Sequence, residues 1–215
     1  MKILFIHGLA SSGAYRMAST LRILFKESEV IAPDVPIEPD EALSLLQGIC
    51  RDEQPDLIVG HSLGGYWAQK LRGFRKILIN PELHVSRFLR QRIGTMEYLS
   101  PRRDGALSFE ITEEICDGYE ALEQTEFDGL TPEEIALTTG VFADRDELVD
   151  CREEFEGIYP GRAHIFPGGH FPNFNQIKQH IFPIIGQTIK ECNTLSTNQP
   201  IPISIWHLTN TASRT

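Results

Sequence analysis

At 215 residues, with 41% hydrophobic and 23% charged residues, the chain has the size and composition of one globular domain, or of one domain with a sizeable insertion. A formal net charge of −10 argues against nucleic acid or an anionic membrane surface as the partner, since both select a basic face. Four cysteines, Cys50, Cys116, Cys151 and Cys192, lie far apart without metal-ligand spacing and read as reduced thiols of a cytoplasmic protein.

The run from Lys2 to Ile6 reads as a buried strand, and it stops at His7-Gly8, too soon for the apolar core of a signal peptide. No apolar stretch approaches the ~20 residues of a membrane-spanning helix. A small-residue loop, His7 to Gly13, leads into a helix over roughly Tyr15 to Lys26. Glu29 to Ala32 is a second strand, closed by Pro33-Asp34-Val35-Pro36. Pro39-Asp40-Glu41 opens a helix that sets Ala42, Leu45, Leu46 and Ile49 on one buried face. Asp56 to Val59 is a short buried strand, followed by Gly60-His61-Ser62-Leu63-Gly64-Gly65 and then helix-forming Tyr66 to Leu71. Lys76 to Ile79 is another strand, ended by Asn80-Pro81.

Such alternation predicts an α/β fold, a mostly parallel sheet with helices on both faces. Ligands of these sheets sit beyond the carboxyl ends of the strands, where His7-Gly8, Ser62 and Asn80-Pro81 fall. From Glu82 to about Leu130 the rhythm breaks. Val85, Phe88, Leu89 and Ile93 share a helical face, with Arg87, Arg90 and Arg92 as its solvated surroundings. Thr112 caps a second helix bearing Ile115, Tyr119 and Leu122. The stretch exceeds a normal crossover, so a small helical lid inserted at 82–130 is expected.

Thr131-Pro132-Glu133-Glu134 has the form of a helix start. Thr138-Thr139 and Val141-Phe142 favour a strand, however, and the layout needs one, so Ile135 to Phe142 is predicted as strand. A helix over Glu147 to Gly157, a last strand over Arg162 to Phe166 and a closing helix over Asn173 to Lys190 complete a domain of residues 1–190. The tail, 191–215, is rich in Thr, Asn and Ser with Pro200 and Pro202. It is expected to be disordered or to lie along an edge.

Strand, Gly-x-Ser-x-Gly and helix form a nucleophile elbow. Serine at so sharp a turn is strained, and side chains two residues to either side would collide with the neighbouring strand and helix, which glycine avoids. A phosphate cradle fits poorly, because no Gly-Lys-Ser/Thr follows and the spacing is not G-x-G-x-x-G. Serine needs a base. Of the seven histidines, His61 neighbours Ser62 but points elsewhere, and His84, His164, His180 and His207 lie in the insertion, a strand, the last helix and the tail. His170, in the Gly168-Gly169-His170-Phe171-Pro172 loop past the last strand, is the candidate base. Asp144 and Asp146 both stand between serine and histidine, in the chain order this architecture uses for the acid. The oxyanion donors are the N–H groups of Leu63 and Leu9. His7 reads as a structural hydrogen-bonder.

Together IHGLASSG, GHSLGGYWA, INP, ADRDELVD and PGGHF resemble the α/β-hydrolase superfamily, over about Lys2 to Lys190. Within it the chain is similar to the compact bacterial YqiA/YcfP-type esterases. The resemblance implies an α/β-hydrolase fold and favours Asp146 over Asp144, although the glycine often found upstream of the acid is Ala143 here. It implies a Ser62–Asp146–His170 triad acting on a small or short-acyl carboxylic ester, without metal or organic cofactor. Thioester or amide hydrolysis, and a non-catalytic binding scaffold, are the alternatives.

Overall fold

A computed structural model describes the backbone of residues 1–196 and the side chains of residues 1–190. In chain order the first half contains β1 (Lys2–Ile6), α1 (Arg16–Leu24), β2 (Glu29–Ile31), α2 (Pro39–Glu53), β3 (Leu57–His61), α3 (Leu63–Lys70) and β4 (Lys76–Ile79). After an intervening segment come β7 (Thr138–Ala143), α7 (Arg152–Ile158) and β8 (Ala163–Phe166). The six strands form one sheet in the order β2-β1-β3-β4-β7-β8, with every pairing parallel.

Alternation along the strands decides which layer each side chain joins. Leu4, Ile6, Ile58, Leu78 and Phe142 pack with Ala42 and Leu46 of α2 and Phe155 of α7. Ile3, Phe5, Val59, Ile77, Ile79 and Val141 pack on the other face with Met17 and Leu21 of α1 and with Ile177, Ile181 and Ile185. Both faces are dry, which is why β1, β3 and β4 read as unbroken apolar runs. From β1 the chain passes to β2 on one side and later to β3 on the other. The strand order therefore reverses at β1, where a crevice opens beyond the carboxyl ends.

The segment between β4 and β7 contains α4 (Val85–Arg90), the antiparallel pair β5 (Gly94–Glu97) and β6 (Ser108–Ile111), α5 (Glu113–Glu123) and α6 (Pro132–Leu137). It is thus not purely helical as predicted. The face shared by Val85 and Leu89 stops at Arg90, and Ile93 lies beyond it, 46% exposed. Gly94, at φ 123°, starts β5 instead. Thr112 does cap α5, accepting the Ile115 N–H. Arg90 is not a merely solvated side chain: it ties α4 to α5 through Glu113, Asp117 and Glu120 at 2.6–2.7 Å. The loop between β5 and β6 docks on the loop after β1. Leu99 N–H donates to Ala10 O at 2.7 Å, Ser12 Oγ to Pro101 O at 2.7 Å, and Asp34 accepts from both Gly13 and Arg103 N–H groups.

Other expectations shift. Leu45 faces outward, and Cys50 takes the buried position one turn beyond Leu46. Ile135 to Leu137 belong to α6, because Thr131 caps the helix by accepting Glu134 N–H and so the local signal prevails; the strand begins only at Thr138. Residues 147–150 are not helical: Asp146 engages the N–H groups of Leu148 and Val149, and α7 waits until Arg152. The closing helix runs as α8 (Phe174–Gln176), a π-helical turn (Ile177–Ile181) and α9 (Phe182–Ser196), entering the stretch read as tail. The remainder of the tail lies outside the described residues.

Candidate active site

Ser62 joins β3 to α3 at φ 56°, ψ −121°, a conformation that an L-residue holds only when its surroundings force it. The flanking glycines show what does. A Cβ on Gly60 would sit 2.1 Å from Gly64 O, and one on Gly64 2.0 Å from Ile6 O. Ser62 N–H donates to Ile79 O at 3.0 Å, and its carbonyl accepts from Gly65 at 2.8 Å. The bend is thereby stitched to both β4 and its own helix.

The loop after β1 lies against this bend, since a Cβ on Gly8 would come within 3.1 Å of Ser62 Cβ. His7 holds the loop in shape. Val35 N–H donates to its Nε2 at 2.9 Å, which leaves Nδ1–H to donate to Gly8 O at 2.8 Å. Burial pushes the His7 imidazole down to about 4, so it stays neutral. Among the described residues, neither Leu9 N–H nor Leu63 N–H is given to any protein acceptor. Beyond them a cavity of about 20 Å³ is lined by Leu9, Leu63, Ile37, Trp67, Tyr98 and Phe109, an apolar surface to which the insertion contributes the last two.

His170 and Asp146 are brought together. The imidazole Nδ1–H donates to Asp146 Oδ2 at 2.8 Å, and Asp146 Oδ1 accepts from Leu148 and Val149 N–H at 2.9 Å each. Burial alone would raise the Asp146 carboxyl, but the hydrogen bonds from His170 and the two amides carry it below its ordinary value. The carboxylate therefore stays ionised and fixes the proton on Nδ1, leaving Nε2 free to accept. Asp144 does not meet the imidazole. Its Oδ1 accepts the Gly168 N–H at 2.8 Å and braces the histidine loop. Ser62 and His170 are both almost wholly buried, at 6% and 4% exposure, and among the described residues no hydrogen bond joins Ser62 Oγ to the imidazole.

Sequence reasoning missed how the two are tied. His61, fully buried beside Ser62, donates Nε2–H to the main-chain carbonyl of His170 at 2.8 Å, with the two rings 5.1 Å apart. Burial, with His170 beside it, pushes His61 down to about 3, so it is a neutral donor. Asn80 donates Nδ2–H to the same carbonyl at 3.0 Å, while its Oδ1 accepts Ala143 N–H at 2.7 Å. Its φ of 44° is one that asparagine tolerates better than most residues, a faint clue that this Asn has a task. No group of three His, Cys, Asp or Glu among the described residues is arranged to hold a metal ion, and no described helix is long and apolar enough to cross a membrane.

A parallel sheet whose third strand breaks into a helix at a strained serine, with a histidine loop past its last strand, is an α/β-hydrolase fold. Solved structures agree. An Arabidopsis methylesterase, MES16, superposes with a TM-score of 0.58 at 12% identity, covering 89% of this chain and 99% of that one. The esterase Est1E from Butyrivibrio proteoclasticus gives 0.55 at 14%, covering 92% and 88%. The N-acyl homoserine lactonase AidH gives 0.57 at 15%, covering 90% and 91%.

The chain itself belongs to the uncharacterised protein family UPF0227, whose family model matches residues 2–188. A UPF0227 protein of Shewanella sediminis (strain HAW-EB3) is 29% identical over 105 residues. That match takes in 44% of this chain and 59% of the relative's length.

Proposed function

We propose that this chain is a serine hydrolase of carboxylic esters with small acyl groups. The observation that carries the reading is the buried His170–Asp146 pair at 2.8 Å, held by its carbonyl to the residue next to a strained serine. His170 Nε2 takes the Ser62 proton as Oγ attacks the ester carbonyl, and Asp146 stabilises the imidazolium that forms. Leu63 and Leu9 N–H groups, committed to no acceptor among the described residues, receive the oxyanion. The alcohol leaves with the His170 proton, and a water clears the acyl-serine by the same route. A serine–imidazole contact that is open in the uncomplexed enzyme commonly tightens when substrate arrives.

The small apolar cavity beside Leu9 and Leu63 fits the methyl end of an acetyl-sized group and has no charged lining for a polar acyl chain. An ester as the scissile bond also accords with the methylesterase and the lactonase that share the fold. A fluorophosphonate probe should label the wild type and leave Ser62→Ala unlabelled, and p-nitrophenyl acetate should be turned over by the first alone. A folded wild type that resists the probe would turn the reading towards a binding scaffold.

A further inference from the structure

We propose that His61 and Asn80 are positioning residues that seat the His170 imidazole over Ser62 from the core of the sheet. These roles rest on the hydrolase reading of Ser62 and His170. His170 stands on a loop with two preceding glycines, and loops of that composition do not hold a side chain to a few tenths of an ångström by themselves. Its imidazole is steered by Asp146, which is itself on a loop. What anchors its backbone is different in kind. His61 closes β3 and Asn80 follows β4, the two strand ends on either side of the elbow, and both send a donor to one carbonyl oxygen. Each donor is in turn fixed. Tyr15 stacks on the His61 ring, with centroids 6.1 Å apart, and Asn80 is held by Ala143 N–H on its side chain and by Val141 O on its own N–H.

Ser62 and His170 thus share a frame. The residue preceding the serine grips the histidine's own peptide, so the two reacting groups move together if the sheet breathes. His61 is ill suited to be the base itself, because Nε2 is committed to that carbonyl as a donor and burial resists the positive charge that proton uptake at Nδ1 would create. Asn80 adds a link from the same carbonyl to β7, whose loop carries Asp146.

The test compares His61→Leu, which keeps the bulk and removes the donor, with His61→Gln, whose amide nitrogen can reach the same carbonyl. Asn80→Asp is the third variant; it keeps the acceptor for Ala143 and replaces the donor with an oxygen. Displacing a catalytic group by about an ångström costs on the order of 100-fold. His61→Leu and Asn80→Asp should therefore lose about that factor in kcat on p-nitrophenyl acetate, and in fluorophosphonate labelling rate, with KM little moved. His61→Gln should recover most of the loss. In the proton NMR spectrum, the downfield His170 Nδ1–H resonance of the wild type should weaken in His61→Leu and return in His61→Gln.

Folded His61→Leu that labels at the wild-type rate would overturn the positioning role. So would a loss shared equally by His61→Gln. A wild type that never labels defeats the hydrolase reading instead, and the NMR comparison then decides by itself whether His61 orders the His170–Asp146 pair.

Discussion

The two ends of β4 bury polar groups under opposite regimes. At the carboxyl end, Asn80 spends its backbone N–H and its side-chain amide and oxygen on Val141, His170 and Ala143, so each of these groups is matched. At the amino end, Lys76 is fully buried with Glu134 at 2.9 Å and Gln69 O at 3.4 Å as its partners. Nearby, both side-chain polar atoms of Gln69, Arg72 Nη1 and Glu126 Oε1 are buried without a partner among the described residues. Matching at the top holds the main chain of His170 in place. At the bottom, the buried ammonium is carried by a single close carboxylate, Glu134. Substitutions at the top should therefore be read in rates, and those at the bottom in stability.

The largest effect is expected at the top. Asp146→Asn keeps the shape and the turn that accepts Leu148 and Val149, but it loses the carboxylate that fixes the imidazole tautomer. A change of that kind costs on the order of 10⁴ in kcat. Asp144→Asn should cost only a few-fold, because an amide oxygen still accepts the Gly168 N–H. Esterase rates of the two variants, measured side by side, separate a carboxylate acting on the imidazole from one that merely braces the loop. Equal losses would show that loop geometry, not charge, governs His170.

At the bottom the next largest effect falls on stability. Glu134→Ala leaves the Lys76 ammonium buried with a lone long contact to Gln69 O. Stranding a buried charge costs about 3–5 kcal/mol. Burial already lowers the Lys76 pKa, so the ammonium should shed its proton sooner in this variant. The double variant Lys76→Met with Glu134→Gln removes both charges at nearly constant volume, keeps a side-chain oxygen for the Gly73 N–H and should be close to neutral. Urea midpoints of the single and the double variant give the comparison, with p-nitrophenyl acetate turnover expected to survive in the double variant.

Much of the top was legible in the sequence because its constraints show as residue types at short fixed spacing. Gly60, Gly64 and Gly65 mark the elbow, although only Gly60 avoids a neighbour within a few residues, Gly64, while Gly64 and Gly65 make room for Ile6 and Pro81; Gly168-Gly169 mark the loop that carries His170. The β5–β6 pair was not legible: each strand alternates, but over only four residues and with Ile111 as the one buried position, too short a pattern to stand out, while Val85 and Leu89 just ahead do suggest a helix. Ile135 to Leu137 precede the β-formers Thr138, Thr139, Val141 and Phe142, which hide the helix end that the Thr131 cap starts. The grip of His61 and Asn80 on His170 joins residues about half the chain apart, side chain to main chain, and such a bond leaves no periodic trace. Lys76 is the opposite surprise, a charged residue in a strand that reads as apolar and is buried at its first position.

The last effect is one of pH, smallest when taken per pH unit, and there the two ends of the sheet pull in opposite directions. At the top, His7 and His61 are pushed from 6.5 to about 4 and about 3, so between those values and 6.5 the unfolded chain binds more protons. Their burial therefore costs nothing above pH 6.5 and destabilises progressively as the pH falls below it, by about 1.4 kcal/mol per pH unit for each group. At the bottom, burial raises the Glu126 carboxyl from 4.5 to about 8, so between those values the folded chain binds more protons. That contribution is complete below pH 4.5 and is lost as the pH rises towards 8. Each term is isolated by subtracting a variant that cannot titrate. Relative to wild type, His61→Gln should gain stability as the pH is lowered from 6.5 to 5, and Glu126→Gln should gain it as the pH is raised from 5 to 8. Urea unfolding at pH 5, 6.5 and 8 measures both. Parallel differences of the same sign would mean that the two ends of the sheet are not the separate electrostatic environments their hydrogen bonding describes.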